Sequence, residues 1–323
     1  MSFIRTVLGD IAPETLGVCY AHEHIIIDPG HMTERFPEFL IDSVDLAAEE
    51  LARFRQDGGS AMIDSMPTGG RNAGKLAEVS RRTGVHIVSP TGLHLQKYYP
   101  ADHWSGSKSV VCLADYFMRE ITFAINDAEN GAVRKPANEA ANASPGPSPR
   151  AGLIKIASGL NRLSEQEKHV FAAAAAAHRN TGCPILTHTE QGTAALEQIK
   201  LLALLGVDLR HVVLSHTDRK PDLSYHREIL RTGVRVEFDS AFRWKEVNPT
   251  RDLVLALAPE FPSQIMLGMD AARRTYWRSY GGSPGLSFLL TDFRRQLLEG
   301  GLREELWERI MVANPAEAFA FAG

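Results

Sequence analysis

Six side chains able to bind a metal sit in, or at the ends of, short apolar runs: His22 and His24 in VCYAHEHIII, Lys155 in GLIKIAS, His188 in CPILTHT, His216 in HVVLSHT and Asp270 in QIMLGMD. In a strand, successive side chains alternate, so two histidines two apart share a face. Imidazole and oxygen donors without thiolate suit zinc, manganese or cobalt. The plain alternatives are paired core histidines for His22 and His24, hydrogen-bonded packing residues for His188 and His216, and a helix N-cap for Asp270. Lys155 stands among Leu, Ile and Ile. A lysine there either snorkels to the barrel mouth or is buried near other cations, which depresses its pKa and leaves a neutral, reactive amine. His188 and His216 occupy equivalent places in successive runs, and with H-x-H beside them the set reads as a metal site with Asp270 as ligand and base.

The elements that must position these residues follow from the alternation of β-rich and helix-like stretches. Eight runs read as strands, at 18–27, 60–66, 85–94, 152–158, 183–189, 211–217, 234–240 and 264–270. Helical patterns lie near 43–57, 72–83, 112–130, 164–180, 193–205, 222–232, 249–258 and 284–299, closed by 302–311 and 314–321. This βα rhythm predicts a (β/α)8 TIM barrel, in which the C-terminal ends of the strands carry the active site. Residues before 17 read as a short N-terminal β-hairpin extension, and residues 1–323 as one domain. The stretch 131–150, GAVRKPANEAANASPGPSPR, has no periodic apolar face and reads as an exposed excursion between the third helix and the fourth strand.

Composition narrows the function classes. The chain is 44% hydrophobic and 23% charged, within the range of ordinary soluble proteins, and its net charge of −4 offers no field to gather nucleic acid. Its three cysteines, Cys19, Cys112 and Cys183, form no C-x-x-C pair, so neither a disulfide framework nor a thiolate zinc site is indicated and a reducing cytoplasm is expected. The segment MSFIRTVLGDIAPETLG is broken by Arg5, Asp10, Pro13 and Glu14 and does not read as a signal peptide, and no run approaches a membrane span.

Longer stretches carry a resemblance. TVLGDIAPETLGVCYAHEH, GLIKIASG, CPILTHTEQGTAALEQIKLL, GVDLRHVVLSHTDRKPD and IMLGMDAARRTYWRSYGGSPGLSFLLTDF, in this order and spacing, resemble the phosphotriesterase family of the amidohydrolase superfamily, which includes phosphotriesterase-like lactonases and phosphotriesterase homology proteins. The resemblance covers essentially the whole chain. It implies that His22, His24 and Asp270 hold the more buried of two divalent metals, zinc first with manganese or cobalt as alternatives, and that His188 and His216 hold the more exposed one. Lys155, carboxylated by carbon dioxide, would bridge the two with a hydroxide. Ions about 3.5–4 Å apart would acidify that shared water and polarise the scissile oxygen. Asp270 would take the proton. Asp218 would then pass it outward, or instead cap the helix near 222. Homologues in this family are often dimers, which makes a homodimer an expectation by analogy.

The loops after the strands set specificity in such a barrel. Tyr98 and Tyr99 follow the third strand, where the family's lactonases are expected to carry tyrosine; Arg243 and Lys245 follow the seventh; Arg273, Arg274 and Tyr276 follow the eighth. Arginine forks on converging loops suit a carboxylate or phosphate, although cations on loops also simply solvate a surface. The expected function is hydrolysis of a lactone or carboxyl ester carrying an anionic group. The alternatives are a phosphotriesterase using the same site and a non-catalytic ligand-binding barrel.

Overall fold

The computed structural model describes residues 2–127 and 148–323. A hairpin of β1 (Ile4–Thr6) and β2 (Gly9–Ile11) comes first, as expected, and is antiparallel. The remaining strands are β3 (Cys19–Glu23), β4 (Ala61–Asp64), β5 (His86–Val88), β6 (Pro90–Gly92), β7 (Leu153–Ser158), β8 (Ile185–Thr189), β9 (Val212–Ser215), β10 (Arg235–Phe238) and β11 (Ile265–Leu267). They run parallel in two hydrogen-bonded stretches, β3-β4-β5 and β6-β7-β8-β9-β10-β11. Ser89 is the only residue between β5 and β6, so together they form the third staff of the barrel. The last staff meets the first where the Met269 and Asp270 amides donate to the His22 carbonyl, at 3.2 and 3.0 Å.

Two separate apolar clusters account for the unbroken hydrophobic runs. Cys19, Ala21, Ala61, Ile63, Val88, Leu153, Leu186, Val213 and Met266 pack with one another and with Ile4, Leu16 and Phe319. These are the inward residues, plugged at the far end by the hairpin and the C-terminal residues. Their neighbours Tyr20, Met62, Ile87, Ile154, Ile185, Leu214, Val236 and Ile265 pack outward on the helices. A parallel strand buried on both faces has no polar alternation to show.

The helices fall close to their predicted places, from Val44–Gln56 to Pro249–Leu257, because their ends carry the expected signals. Ser43, Asn72, Ser109, Asp222 and Asn248 cap the first turns with side-chain oxygens, and Ser164 with Glu167 forms a capping box. The third helix stops at Thr122, short of the predicted 130. Most of the predicted excursion, 131–147, lies outside the described residues. Short helices at His31–Arg35 and Pro37–Phe39, unforeseen from the sequence, build the loop after β3 and form part of the mouth. None of the helices among the described residues is long and apolar enough to cross a membrane.

One buried ion pair fastens the loop after β4 to the barrel wall. Arg71 makes two bonds to the Glu120 carboxylate, at 2.7 and 3.1 Å, and both side chains are almost wholly buried. Tyr116 hydroxyl donates to Glu120 (3.0 Å) and pairs with Thr68 (3.0 Å), which lines the cavity described below. Removing Glu120 takes away the fully buried partner of the Arg71 charge and leaves the partly exposed Asp127, at 2.9 Å, to balance it. Glu120→Ala is therefore expected to lower stability by about 3–5 kcal/mol, read as a fall in the urea midpoint; a midpoint equal to that of the unaltered protein would refute this account of the pair.

Candidate metal centre and substrate cavity

The candidate ligand side chains reach the mouth by three different local devices. Lys155 and His188 follow from strand alternation, since they lie two residues beyond the inward Leu153 and Leu186. His22 does not: the outward Tyr20 lies two residues before it. The pairing of β3 with β4 shifts between Tyr20 and Glu23, a bulge that adds one residue to β3 and reverses its alternation, bringing His22 and His24 inward. His216 and Asp270 leave their strands in left-handed backbone conformations, with φ of 66° and 46°. Non-glycine residues pay for that geometry, and such strain gathers at functional sites.

The result is a tight group of imidazoles. The His22 ring centroid lies 5.6 Å from that of His24 and 4.7 Å from that of His216, and His188 is 4.5 Å from His216. Asp270 Oδ1 is 3.2 Å from His24 Nε2 and 3.7 Å from His22 Nε2. The Lys155 amine lies 3.4 Å from His22 Nε2. Ligand atoms of His22, His24 and Asp270 all fall within 4.8 Å of one another, and so do those of His22, His216, Glu237 and Asp239. His188 belongs to neither group and stands at the rim.

Outer partners hold most of these rings by one nitrogen and leave the other facing the cluster. His22 Nδ1 pairs with Ser215 Oγ (2.9 Å), His188 Nε2 with Glu190 (2.9 Å), and His216 Nδ1 with Asp239 in a short contact. His24 Nδ1 is buried without a hydrogen-bond partner. This pattern, with nitrogen and oxygen donors only, fits divalent ions that His22, His24, His188, His216 and Asp270 would hold, with the Lys155 amine beside His22.

Electrostatics keeps the cluster poised. Burial lowers the pKa of His22, His188 and His216, the last to about 3, and neighbouring cations push the same way. Burial likewise takes the Lys155 amine down to about 8 against the pull of Asp270, Glu237 and Asp239, which favours the neutral form that carboxylation needs. Burial raises Asp270, but the His24 hydrogen bond and the charges of His216 and Arg243 outweigh it and hold the carboxyl well below its usual range. Arg219 donates to Asp270 Oδ2 at 2.7 Å and to Asp239 at 3.1 Å.

Several of these residues were not picked out from the sequence: Glu190, Arg219, Glu237, Asp239 and His94. Glu237 and Asp239 carried a usable signal, two carboxylates two apart in one strand. Glu237 is fully buried behind His22, 3.4 Å from its Nδ1, and burial followed by the nearby Asp239 charge pushes its carboxyl well up. Asp218 is not the cap of the helix near 222. Its carboxylate accepts from the Ser240 amide (2.8 Å) and Thr250 hydroxyl (2.6 Å), and the cap of helix Leu223–Leu230 is Asp222.

Above the cluster opens a cavity of about 510 Å³, whose lining includes Tyr98, Tyr99, Arg243, Arg273 and Tyr276. Arg243 spends its guanidinium on the main-chain carbonyls of Asp239, Met269 and Asp270, at 2.6, 3.0 and 2.7 Å, and braces the strand-end carboxylates. Arg273 is about half exposed and only loosely paired, 3.8 Å from Glu38. The other two cations predicted for substrate contact lie off this wall. Trp244 lies between the cavity and a neighbouring cleft of about 300 Å³, and Lys245 beside it lines that cleft alone. Arg274 is exposed at the start of a short helical turn.

A closed parallel barrel with its ionisable cluster at the C-terminal mouth, beneath an open cavity, is the architecture of a barrel hydrolase. The chain belongs to the phosphotriesterase family, whose model matches residues 2–319, and it is a hydrolase. It is 30% identical to a phospho-furanose lactonase of Mycoplasmopsis agalactiae, over 99% of this chain and 92% of that protein. The crystal structure of a lactonase from Listeria monocytogenes superposes with a TM-score of 0.87 at 30% identity, covering 99% of this chain and 100% of the other. That of the Escherichia coli phosphotriesterase homology protein, with phosphate in its active site, gives a TM-score of 0.83 at 29% identity, covering 94% and 99%.

If Asp239 sets the orientation of His216, Asp239→Asn should weaken zinc binding by about 10- to 100-fold in a titration against a competing chelator. Unaltered affinity would mean that Asp239 merely fills space.

Proposed function

We propose that the chain hydrolyses a lactone or carboxyl ester carrying a phosphate or carboxylate, with two divalent ions, zinc first, held by His22, His24, His188, His216, Asp270 and a carboxylated Lys155. The observation that carries this reading is the placement of Arg273, whose guanidinium among the described residues has no hydrogen-bond partner and only a loose approach to Glu38, on the wall of a cavity floored by that ligand set. Relatives named for phospho-furanose lactones support the substrate class. When bound, the ions supply Lewis acidity and a lowered pKa for water.

The chain's own residues do the rest. Asp270, kept ionised by His24, His216 and Arg243, receives the proton that the attacking water loses. Arg219 holds its Oδ2 in place from 2.7 Å, while Arg243 fixes the backbone on either side. Ile27, Met32, Phe39 and Met66 form an apolar stretch of wall that excludes water from the bound ester. Arg273, above the Phe39 ring at 5.3 Å, reaches the anionic group. Tyr98 and Tyr276 flank the scissile bond from the same cavity. The free cysteines, with Cys19 and Cys183 buried, suit a cytoplasmic setting.

The test is metal analysis of protein expressed with zinc or manganese, followed by assay against neutral lactones, phosphorylated sugar lactones and a phosphotriester. Two metals per chain and a preference for the anionic lactones are expected. Best activity on the phosphotriester would overturn the substrate class, and absence of metal would overturn the site. Arg273→Ala should raise KM for the anionic lactone about tenfold or more, since a hydrogen bond to a charged group contributes about 1.5–3 kcal/mol, with little effect on a neutral one. Lys245→Ala and Arg274→Ala should leave both substrates unchanged.

A further inference from the structure

His94 belongs to none of the groups assigned above, yet it lines the cavity beside them. It lies two residues past Gly92, where the third barrel staff is pressed against the fourth. A Cβ at Gly92 would stand 1.9 Å from the Lys155 carbonyl oxygen, and Leu93 amide donates to that same oxygen at 2.9 Å. The His94 backbone is held again by the Tyr99 hydroxyl, which accepts its amide at 2.8 Å. Its ring packs edge-on against His188 and Tyr98, with centroids 4.8 and 4.7 Å away. Few side chains at the mouth are fixed from so many directions.

One ring nitrogen is already committed. The Leu95 amide donates to His94 Nδ1 at 2.7 Å, so that atom must present a lone pair and the proton sits on Nε2. A cationic ring would set two N–H groups against each other. The same bond stops Nδ1 from ligating a metal, and His94 is absent from both groups of converging ligand atoms. Nε2 has no hydrogen-bond partner among the described residues, and the residue faces the cavity. What remains is a neutral, rigidly placed N–H donor beside the ligand cluster.

We propose that His94 is a catalytic residue whose Nε2–H donates to the oxygen that gains negative charge when the substrate carbonyl is attacked. This rests on the ester- or lactone-hydrolase reading. As the water oxygen bonds to the carbonyl carbon, the carbonyl π pair moves onto its oxygen and the proton of the attacking water goes to Asp270; the C=O bond then re-forms, the ester C–O bond breaks, and Asp270 returns that proton to the leaving alkoxide oxygen. His94 keeps its own proton throughout. Its contribution is a preorganised dipole at the developing oxyanion, which costs no reorganisation at the moment of reaction.

The experiment compares His94→Leu, which removes the donor, with His94→Gln, which restores a side-chain N–H, both metal-loaded as full chains. His94→Leu should lower kcat by about 10²–10³-fold with KM little changed and metal per chain unaltered, and His94→Gln should recover part of the loss. Retention of kcat in the leucine variant, equal kcat in the two variants, or loss of metal from either would overturn the proposal. Inorganic phosphate gives a second readout that needs no turnover: its Kd should weaken in His94→Leu and recover in His94→Gln. If the unaltered protein hydrolyses no ester or lactone, the functional reading fails on its own, and phosphate affinities that do not distinguish the two variants would then sink the role of His94 as a donor.

Discussion

A cluster of ionisable groups buried at the end of an apolar barrel is the condition that everything around it must satisfy. Desolvation alone would expel charge from such a place or neutralise it. The chain meets this by pairing its formal charges and by neutralising buried amines and imidazoles. Asp239 and Asp270 are held ionised by Arg219 and Arg243 and by contacts with His216 and His24, while burial pushes His22, His188, His216 and the Lys155 amine toward their neutral forms. Neutral nitrogen lone pairs beside fixed carboxylates are what a divalent ion would require. Arg219 and Arg243 belong to that solution as much as the ligands do, since without them two carboxylates would face each other across the floor.

Backbone irregularity carries a share of the same burden. Regular alternation suffices for Lys155 and His188, but it would have sent His22 outward onto the helices. One extra residue in β3 turns it around, and left-handed turns at His216 and Asp270 carry those two side chains to the mouth after their strands have ended. The cost of these departures is met by the surroundings. The Asp270 amide donates to the His22 carbonyl, and both Met269 and Ala271 donate to the buried Glu23 carboxylate, at 2.8 and 3.3 Å. Barrel closure and site assembly therefore use the same few residues.

This explains why the fold could be read in the amino-acid sequence more fully than the site. Both faces of the barrel strands are largely buried, so the eight runs stand out as apolar blocks, and capping residues such as Ser43, Ser164 and Asn248 mark the helices between them. His22 and His24 were recognisable by their spacing, yet the alternation argument reached the interior without the bulge that puts them there. Nothing local marks that bulge. Glu237 and Asp239 had the same two-residue spacing but lacked histidine's prior association with metals. The sequence places Lys245 on the right loop but not its side of it: Trp244 borders both the cavity and the outer cleft, and Lys245 lines the cleft. Arg243 looked like a substrate contact because its charge was visible and the three carbonyls that occupy it were not.

Arg243 and Arg273 differ in how tightly the barrel holds them. Arg243 is tied to the main chain at the ends of two strands, and moving it would disturb the carboxylates. Arg273 lies on a loop, partly exposed, with a loose approach to Glu38 and a ring beneath it. Lys97 and Glu190 link two other loops at the rim through a similarly accessible pair at 3.2 Å. Exposed ion pairs of this sort contribute about 0–1 kcal/mol, so they break at little cost when a substrate offers a better partner. Strong, buried and mutually dependent contacts hold the reacting centre, and weak, exchangeable ones surround the entrance. Changing what the cavity accepts therefore requires altering loop residues whose loss the fold barely registers, while the same freedom at Asp239 or Arg219 would unmake the site.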